Sequence, residues 1–98
     1  MKDLETLQAN AHEAAKLLKV LANPNRLMTV CMLLEEELSV GELNQRLPLS
    51  QSALSQHLAV LREEGLVATR KEAQVVYYRL ARPEARKILA ALYEIYCQ

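Results

Sequence analysis

This sequence predicts a mainly α domain with a β-hairpin wing, in the order α-α-α-α-β-β-α, and three observations predict it. Apolar residues recur every three or four positions near both ends of the chain, the period of a helix that buries one stripe. In the middle, two serine-capped segments are separated by Leu47-Pro48. After Gly65 the helical period gives way to two short β-branched and aromatic runs, the pattern of a hairpin.

Each element has its own signal. Leu4, Leu7, Ala11, Ala14, Leu18 and Leu21 form one apolar seam, so a first helix covers that stretch. Asn23-Pro24 reads as a cap followed by proline at the first helical position, where its missing N–H costs nothing. The helix it opens runs to about Leu34 and is almost continuously apolar (LMTVCMLL), which predicts a buried central helix. Glu35-Glu36-Glu37 reads as a solvated turn. Ser39-Val40-Gly41-Glu42 matches a capping box, in which serine and glutamate side chains satisfy each other's backbone amides. This third helix ends near Leu47-Pro48, because proline cannot continue it. Ser50 caps a fourth helix that runs to Glu64, and Gly65 is suited to the left-handed residue that ends it. Leu66–Lys71 and Val75–Leu80 are the two strands of the hairpin. Pro83 opens the last helix, with Ala85, Ile88, Leu89, Leu92, Ile95 and Tyr96 on its apolar side.

A chain of 98 residues makes one domain, spanning residues 1–98, with a modest core. Apolar residues make up 51% of it, which excludes a disordered chain. Both terminal helices carry apolar seams, and one small core cannot cover both. A second copy is therefore expected to cover one seam, giving a symmetric homodimer with the terminal helices at its interface. No secretory signal pattern opens the chain and no apolar run is long enough to span a bilayer, so a cytoplasmic protein with no membrane partner is expected.

Formal charge is zero, which by itself does not favour a polyanionic partner. Its distribution does. Lys2, Lys16, Lys19 and Arg26 are outnumbered before residue 44 by Asp3, Glu5, Glu13, Glu35, Glu36, Glu37 and Glu42. Arg46, Arg62, Arg70, Lys71, Arg79 and Arg82 outnumber Glu63, Glu64 and Glu72 over residues 44–82. The basic excess thus falls on the paired helices and hairpin, where phosphate contacts would need it.

Those elements together describe a winged helix-turn-helix. In the fourth helix Leu54, Leu58 and Leu61 take the inner face, with Ala53 beside them. Ser50, Gln51, Ser52, Ser55 and Gln56 fall at its start and outward. Short and amide side chains there let a helix sit close in the major groove of double-stranded DNA and hydrogen-bond base edges. His57 lies at the core margin, where a hydrogen-bonded structural role competes with a base contact. Arg62 lies nearer the DNA backbone, and Arg70, Lys71 and Gln74 cluster at the hairpin turn, where a wing reaches phosphates or the minor groove. The competing reading is a helical interaction module with a solvated polar face. An enzyme is not expected, and neither is a cofactor. The sequence shows no nucleophile–base–acid set, and its two glycines, Gly41 and Gly65, have structural readings.

The segments LLKVLANPNRLMTV, LSQSALSQHLAVLREEGLV and TRKEAQVVYYRL resemble the ArsR/SmtB family of winged helix-turn-helix regulators, and the resemblance covers essentially the whole chain. It implies a homodimer that binds an imperfect inverted repeat and leaves it when an inducer arrives. Metal-sensing members carry an ELCVCDL-type box before the reading helix. The corresponding run here, Glu37 to Leu43, has Ser39 and Gly41 in place of both cysteines, and neither can supply the thiolate a soft metal needs. The last helix also lacks the Asp-x-His pattern of the family's other metal site. A zinc site could arise only if His12, His57, Cys31 and Cys97 all converged, so no metal is expected.

The two cysteines, Cys31 and Cys97, instead resemble those of the family's thiol-switch branch, which answers reactive sulfur species or oxidants. That resemblance implies a dithiol switch that releases operator DNA on oxidation, in a repressor of sulfide or persulfide detoxification genes. A variant within the branch is an activator that displaces a silencing protein. The cysteines lie 66 positions apart, so the last helix would have to pack back across the second. A direct disulfide needs Cα atoms within about 7 Å, whereas a polysulfide bridge tolerates more. Cys97 is expected to be the exposed partner with a lowered pKa and Cys31 to sit within the apolar helix. Without the resemblance, Cys31 reads as a small buried hydrophobe and Cys97 as a tail residue.

Overall fold

Five helices and three short strands follow one another over residues 3–97, the part of the chain that the computed structural model describes. They are α1 (Leu4–Leu21), α2 (Pro24–Met32), β1 (Leu38–Ser39), α3 (Val40–Arg46), α4 (Gln51–Glu63), β2 (Val67–Glu72), β3 (Val75–Leu80) and α5 (Pro83–Tyr96). The fold is a winged helix-turn-helix: α3 and α4 are the paired helices and β2–β3 is the wing.

The helix ends are set by local chemistry. Asn23 Oδ1 accepts from the amides of Asn25 and Arg26 at 3.0 and 3.1 Å, and Pro24 occupies the first helical position. The capping box at α3 is complete: Ser39 Oγ accepts from the Glu42 amide at 3.1 Å, and the Ser39 amide donates to Glu42 Oε1 at 2.9 Å. That N–H holds the Glu42 carboxyl below the usual carboxylate range. Ser50 Oγ accepts from the Ala53 amide and starts α4. At the far end Gly65 adopts φ +74, and the Leu66 amide reaches back to the Leu61 carbonyl at 2.9 Å. This is a Schellman closure, which requires a left-handed residue at that point. Asn44 Nδ2 donates to the Leu49 carbonyl at 2.8 Å and fixes the turn between α3 and α4.

Two features differ from the sequence reading. First, α2 stops at Met32 rather than Leu34, because the Leu33 and Leu34 amides turn back to the carbonyls of Val30 and Cys31. Only one side of α2 is covered: Thr29 and Val30 are buried, while Met28, Cys31 and Met32 are exposed. The helix is rich in apolar residues but is not a fully buried central helix. Second, the hairpin gains a third strand. Leu38 and Ser39 pair antiparallel with Tyr78 and Tyr77, giving the sheet order β1-β3-β2. Two residues are too short to show a period, so this strand exists through its partner rather than its own pattern.

Leu21, Val30, Leu33, Leu38, Leu43, Leu54, Leu58, Leu61, Leu66 and Leu89 form the centre of one core, in which α4 packs against α2, α3 and the wing. The seam of α1 lies largely outside it. Leu17 and Leu21 are buried, but Leu4, Leu7 and Leu18 are exposed, Leu4 at 67%. On α5, Ala85 and Leu89 are buried, while Ile95 and Tyr96 are 68% and 79% exposed. Among the described residues no helix is long and apolar enough to cross a membrane.

The wing turns through Ala73, a non-glycine residue at φ 56. The left-handed region costs an L-residue with a Cβ roughly 1–2 kcal/mol, and two-residue hairpin turns favour glycine there. Ala73→Gly is therefore expected to raise stability by about 0.5–1 kcal/mol, the strain relief being partly offset by a more flexible unfolded chain. Urea unfolding at fixed protein concentration checks this.

Candidate nucleic-acid interface and thiol pair

The start of α4 presents its polar residues as the leucine spacing requires. Leu54, Leu58 and Leu61 are buried, which turns Gln51, Ser52, Ser55 and Gln56 outward, all exposed. Ser50 is exposed as well, with its oxygen engaged as the cap. His57 is half-buried at the core margin.

Elements distant in sequence meet around this helix. Gln51 and Ser55 of α4 line one open groove with Gln74 and Val75 of the wing and Ser39 and Gly41 at the start of α3. A second groove joins Ser55 and Arg62 to Tyr78 of β3. Ser55 thus lies between wing and helix, with Arg62 two turns further along α4. Sequence reasoning missed Gly41 and Val75 as groove walls. A glycine in the first turn of α3, where no backbone strain requires one, was the available signal.

The cations of this face are of two kinds. Arg46 pairs with Glu36 at 2.9 Å, and Arg70 pairs with Glu37 and Glu72, each at 2.6 Å. Among the described residues Arg62 and Lys71 make no ion pair. The turn Glu35–Glu37 is therefore not simply solvated: two of its carboxylates hold arginines of α3 and of the wing.

The thiols lie on other elements. Cys31 is on the outer side of α2 and Cys97 directly follows α5, its amide donating to the Tyr93 carbonyl at 2.8 Å. Both are free and exposed. Cys31 is thus not buried in its helix as the sequence reading expected. Its thiol is pushed above its ordinary pKa, first by desolvation among apolar neighbours and second by the charge of Cys97. Cys97 thus contributes to the raised pKa of Cys31 although it lies 66 positions further along the chain. Arg86, in the first turn of α5, donates to the Leu34 carbonyl just past α2 and ties the start of the last helix to the end of the second. Among the described residues no three His, Cys, Asp or Glu side chains converge as a metal site would need.

A raised pKa leaves Cys31 mostly as the unreactive thiol at neutral pH, with thiolate gained as pH rises. In Cys97→Ser the larger cause, burial, remains. Alkylation of Cys31 by iodoacetamide is therefore expected to climb about tenfold per pH unit from about pH 6 to 9 without levelling off. A plateau near neutrality would reveal an activated thiolate instead.

A reading helix with an outward polar start, a proline-ended helix before it and a wing beside it define the class: a winged helix-turn-helix DNA-binding regulator, not an enzyme. Residues 23–69 match the profile of the bacterial regulatory proteins of the arsR family. The chain is 55% identical over 96 residues to the transcriptional activator HlyU of Vibrio cholerae, covering 98% of this chain and 89% of that protein. It is 48% identical over 93 residues to the biofilm growth-associated repressor of Xylella fastidiosa, covering 95% and 82%. Its fold matches a solved structure of reduced HlyU from Vibrio cholerae with TM-score 0.93 at 56% identity, over 97% of this chain and 100% of that one. The chain belongs to the ArsR family of transcriptional regulators.

Proposed function

We propose that this chain works in the cytoplasm as a homodimeric repressor that reads an inverted repeat in double-stranded DNA and releases it when reactive sulfur species or oxidants join Cys31 to Cys97. What supports the switch is that both thiols are free and exposed, on the second helix and just after the last, outside the reading helix and the wing, and that the charge of Cys97 contributes to the raised pKa of Cys31. The solved Vibrio cholerae relative is specified as the reduced form of that protein, which gives independent reason to consider redox control here.

The chemistry balances with a low-molecular-weight persulfide as oxidant. One cysteine thiolate attacks its sulfane sulfur and expels the parent thiol, leaving a cysteine persulfide. The second thiolate attacks the inner sulfur of that persulfide and expels hydrosulfide, forming the disulfide. Two thiols are oxidised and one sulfane sulfur is reduced. A further sulfane sulfur inserted into the bridge lengthens it and spans a wider gap.

DNA contact is assigned to Ser50, Gln51, Ser52, Ser55, Gln56 and His57 at the base edges, to Arg62 and Lys71 at phosphates, and to Gln74 in the wing, with Arg70 beside them held by Glu37 and Glu72. Dimerisation is assigned to the open seams of α1 and α5, whose exposed Leu4, Leu7, Leu18, Tyr93, Ile95 and Tyr96 need a covering surface. The test is selection of duplexes from a randomised pool with the reduced protein, followed by sedimentation of the complex. The expected result is an inverted repeat with half-sites about one helical turn, roughly 34–36 Å, apart and two protomers per duplex. No enrichment at low salt would overturn it.

A second reading is favoured by the 55% identity to an activator: the same DNA contact, used to displace a silencing protein. A reporter downstream of the selected site distinguishes the two, because deleting the protein raises expression from a repressed promoter and lowers it from an activated one.

A further inference from the structure

The arginine of β2 is already engaged. Arg70 lies on β2 directly opposite Tyr77 of β3, and Tyr77 in turn pairs with Ser39 of β1. The Arg70 guanidinium lies over the Tyr77 ring, 4.5 Å from its centroid. Its Nε donates to Glu37, immediately before β1, at 2.6 Å, and its Nη1 donates to Glu72 on its own strand, also at 2.6 Å. One side chain thus crosses the middle strand and joins both flanks of the sheet.

We propose that Arg70 is a positioning residue: by crossing Tyr77 to Glu37 it ties the wing to β1, and through Ser39 to the start of α3, so that Lys71 and Gln74 stand at a fixed place beside α4. This rests on the DNA-reading role proposed above and assigns Arg70 a different part in it from a phosphate contact. The tie runs through a short path. Glu37 precedes Leu38 and Ser39, and Ser39 is both a strand residue and the cap of α3. A shift of the hairpin therefore pulls on the helix before the reader.

The chemistry selects arginine. Its planar fork serves two carboxylates at once while its face stacks on an aromatic ring, and lysine can do neither in the same geometry. A lone exposed ion pair contributes little, but this one belongs to a network, and the Glu37 side chain is only 27% exposed against 69% for Glu72. Glu37 is the less hydrated partner and so the stronger hold.

Two charge-conserving variants test the proposal, Arg70→Lys and Glu37→Asp, because they break the tie while leaving the net charge of the wing unchanged. Without DNA, amide hydrogen exchange over residues 71–76 is expected to speed up in both. With a selected duplex, each is expected to bind about three- to tenfold more weakly, and the double variant no more weakly than Arg70→Lys alone, because both break one tie. Arg70→Ala is expected to keep the wild-type dependence of affinity on salt, whereas loss of a phosphate contact would flatten the slope by about one ion. Unchanged exchange in both variants, undiminished binding by Glu37→Asp, or a flattened slope in Arg70→Ala would each overturn the proposal. If the wild-type protein binds no duplex, the DNA reading fails, and the exchange comparison still decides whether Arg70 ties the wing.

Discussion

Leu54→Ala is expected to remove about 3–4 kcal/mol of folding stability, enough to threaten a domain of this size. Leu54 is fully buried at 0% exposure, on the inner face of α4 with Leu58 and Leu61. Truncating a leucine in such a site loses the transfer free energy of its methyl groups and leaves a cavity, about 2–5 kcal/mol in all. Small domains hold only about 5–15 kcal/mol in total. The urea midpoint at fixed protein concentration should fall steeply with little change in slope. Gln56→Ala, two positions along the same helix but exposed, should leave the midpoint nearly unmoved, within about 0.5 kcal/mol. The pair separates what α4 does for the fold from what its outer face does for DNA. A small loss in Leu54→Ala would mean that the core of the reader can collapse around the gap.

The second large effect concerns release. The double variant Cys31→Ser, Cys97→Ser is expected to bind DNA as the reduced wild type does and to keep binding after treatment with persulfide or oxidant. Wild type under the same treatment should lose about 100-fold in affinity, which corresponds to about 3 kcal/mol placed on the DNA-competent arrangement. The linkage is steric. A bridge between α2 and the end of α5 acts on the last helix, whose open seam is assigned to the dimer contact with that of α1, and a small rotation there displaces one of two reading helices from its half-site. Each single serine variant should also fail to release, because one thiol cannot close the bridge. Release by the double variant would move the sensor elsewhere in the chain.

What the sequence made legible was local. Asn23, Ser39, Ser50 and Gly65 act within four residues of themselves, and each sits where its side chain or backbone freedom predicts. The inward leucines of α4 follow from period alone, and with them the outward glutamines and serines. What was not legible depends on partners far along the chain. Leu38–Ser39 is a strand because Tyr77 and Tyr78 lie beside it, almost forty positions later. Glu37 looked solvated until Arg70 reached it across the sheet. The run from Leu27 to Leu34 reads as core from composition, yet α2 leaves Met28, Cys31 and Met32 uncovered in a single protomer. The same misreading hid the exposure of Cys31 and suggested that Cys97 alone would be accessible. Composition reports how apolar a helix is, and only its neighbours decide which side is buried.

The central claim is that joining Cys31 to Cys97 is what releases DNA. Its most direct test treats the wild-type protein with graded amounts of glutathione persulfide and reads intact mass and DNA affinity on the same samples. The account predicts a bridge within one protomer, seen as the loss of two hydrogens or as that loss plus added sulfur atoms. The bridge should grow in proportion to the loss of DNA binding, and both should reverse with a reductant. A fully bridged protein that still binds DNA with unchanged affinity would contradict it.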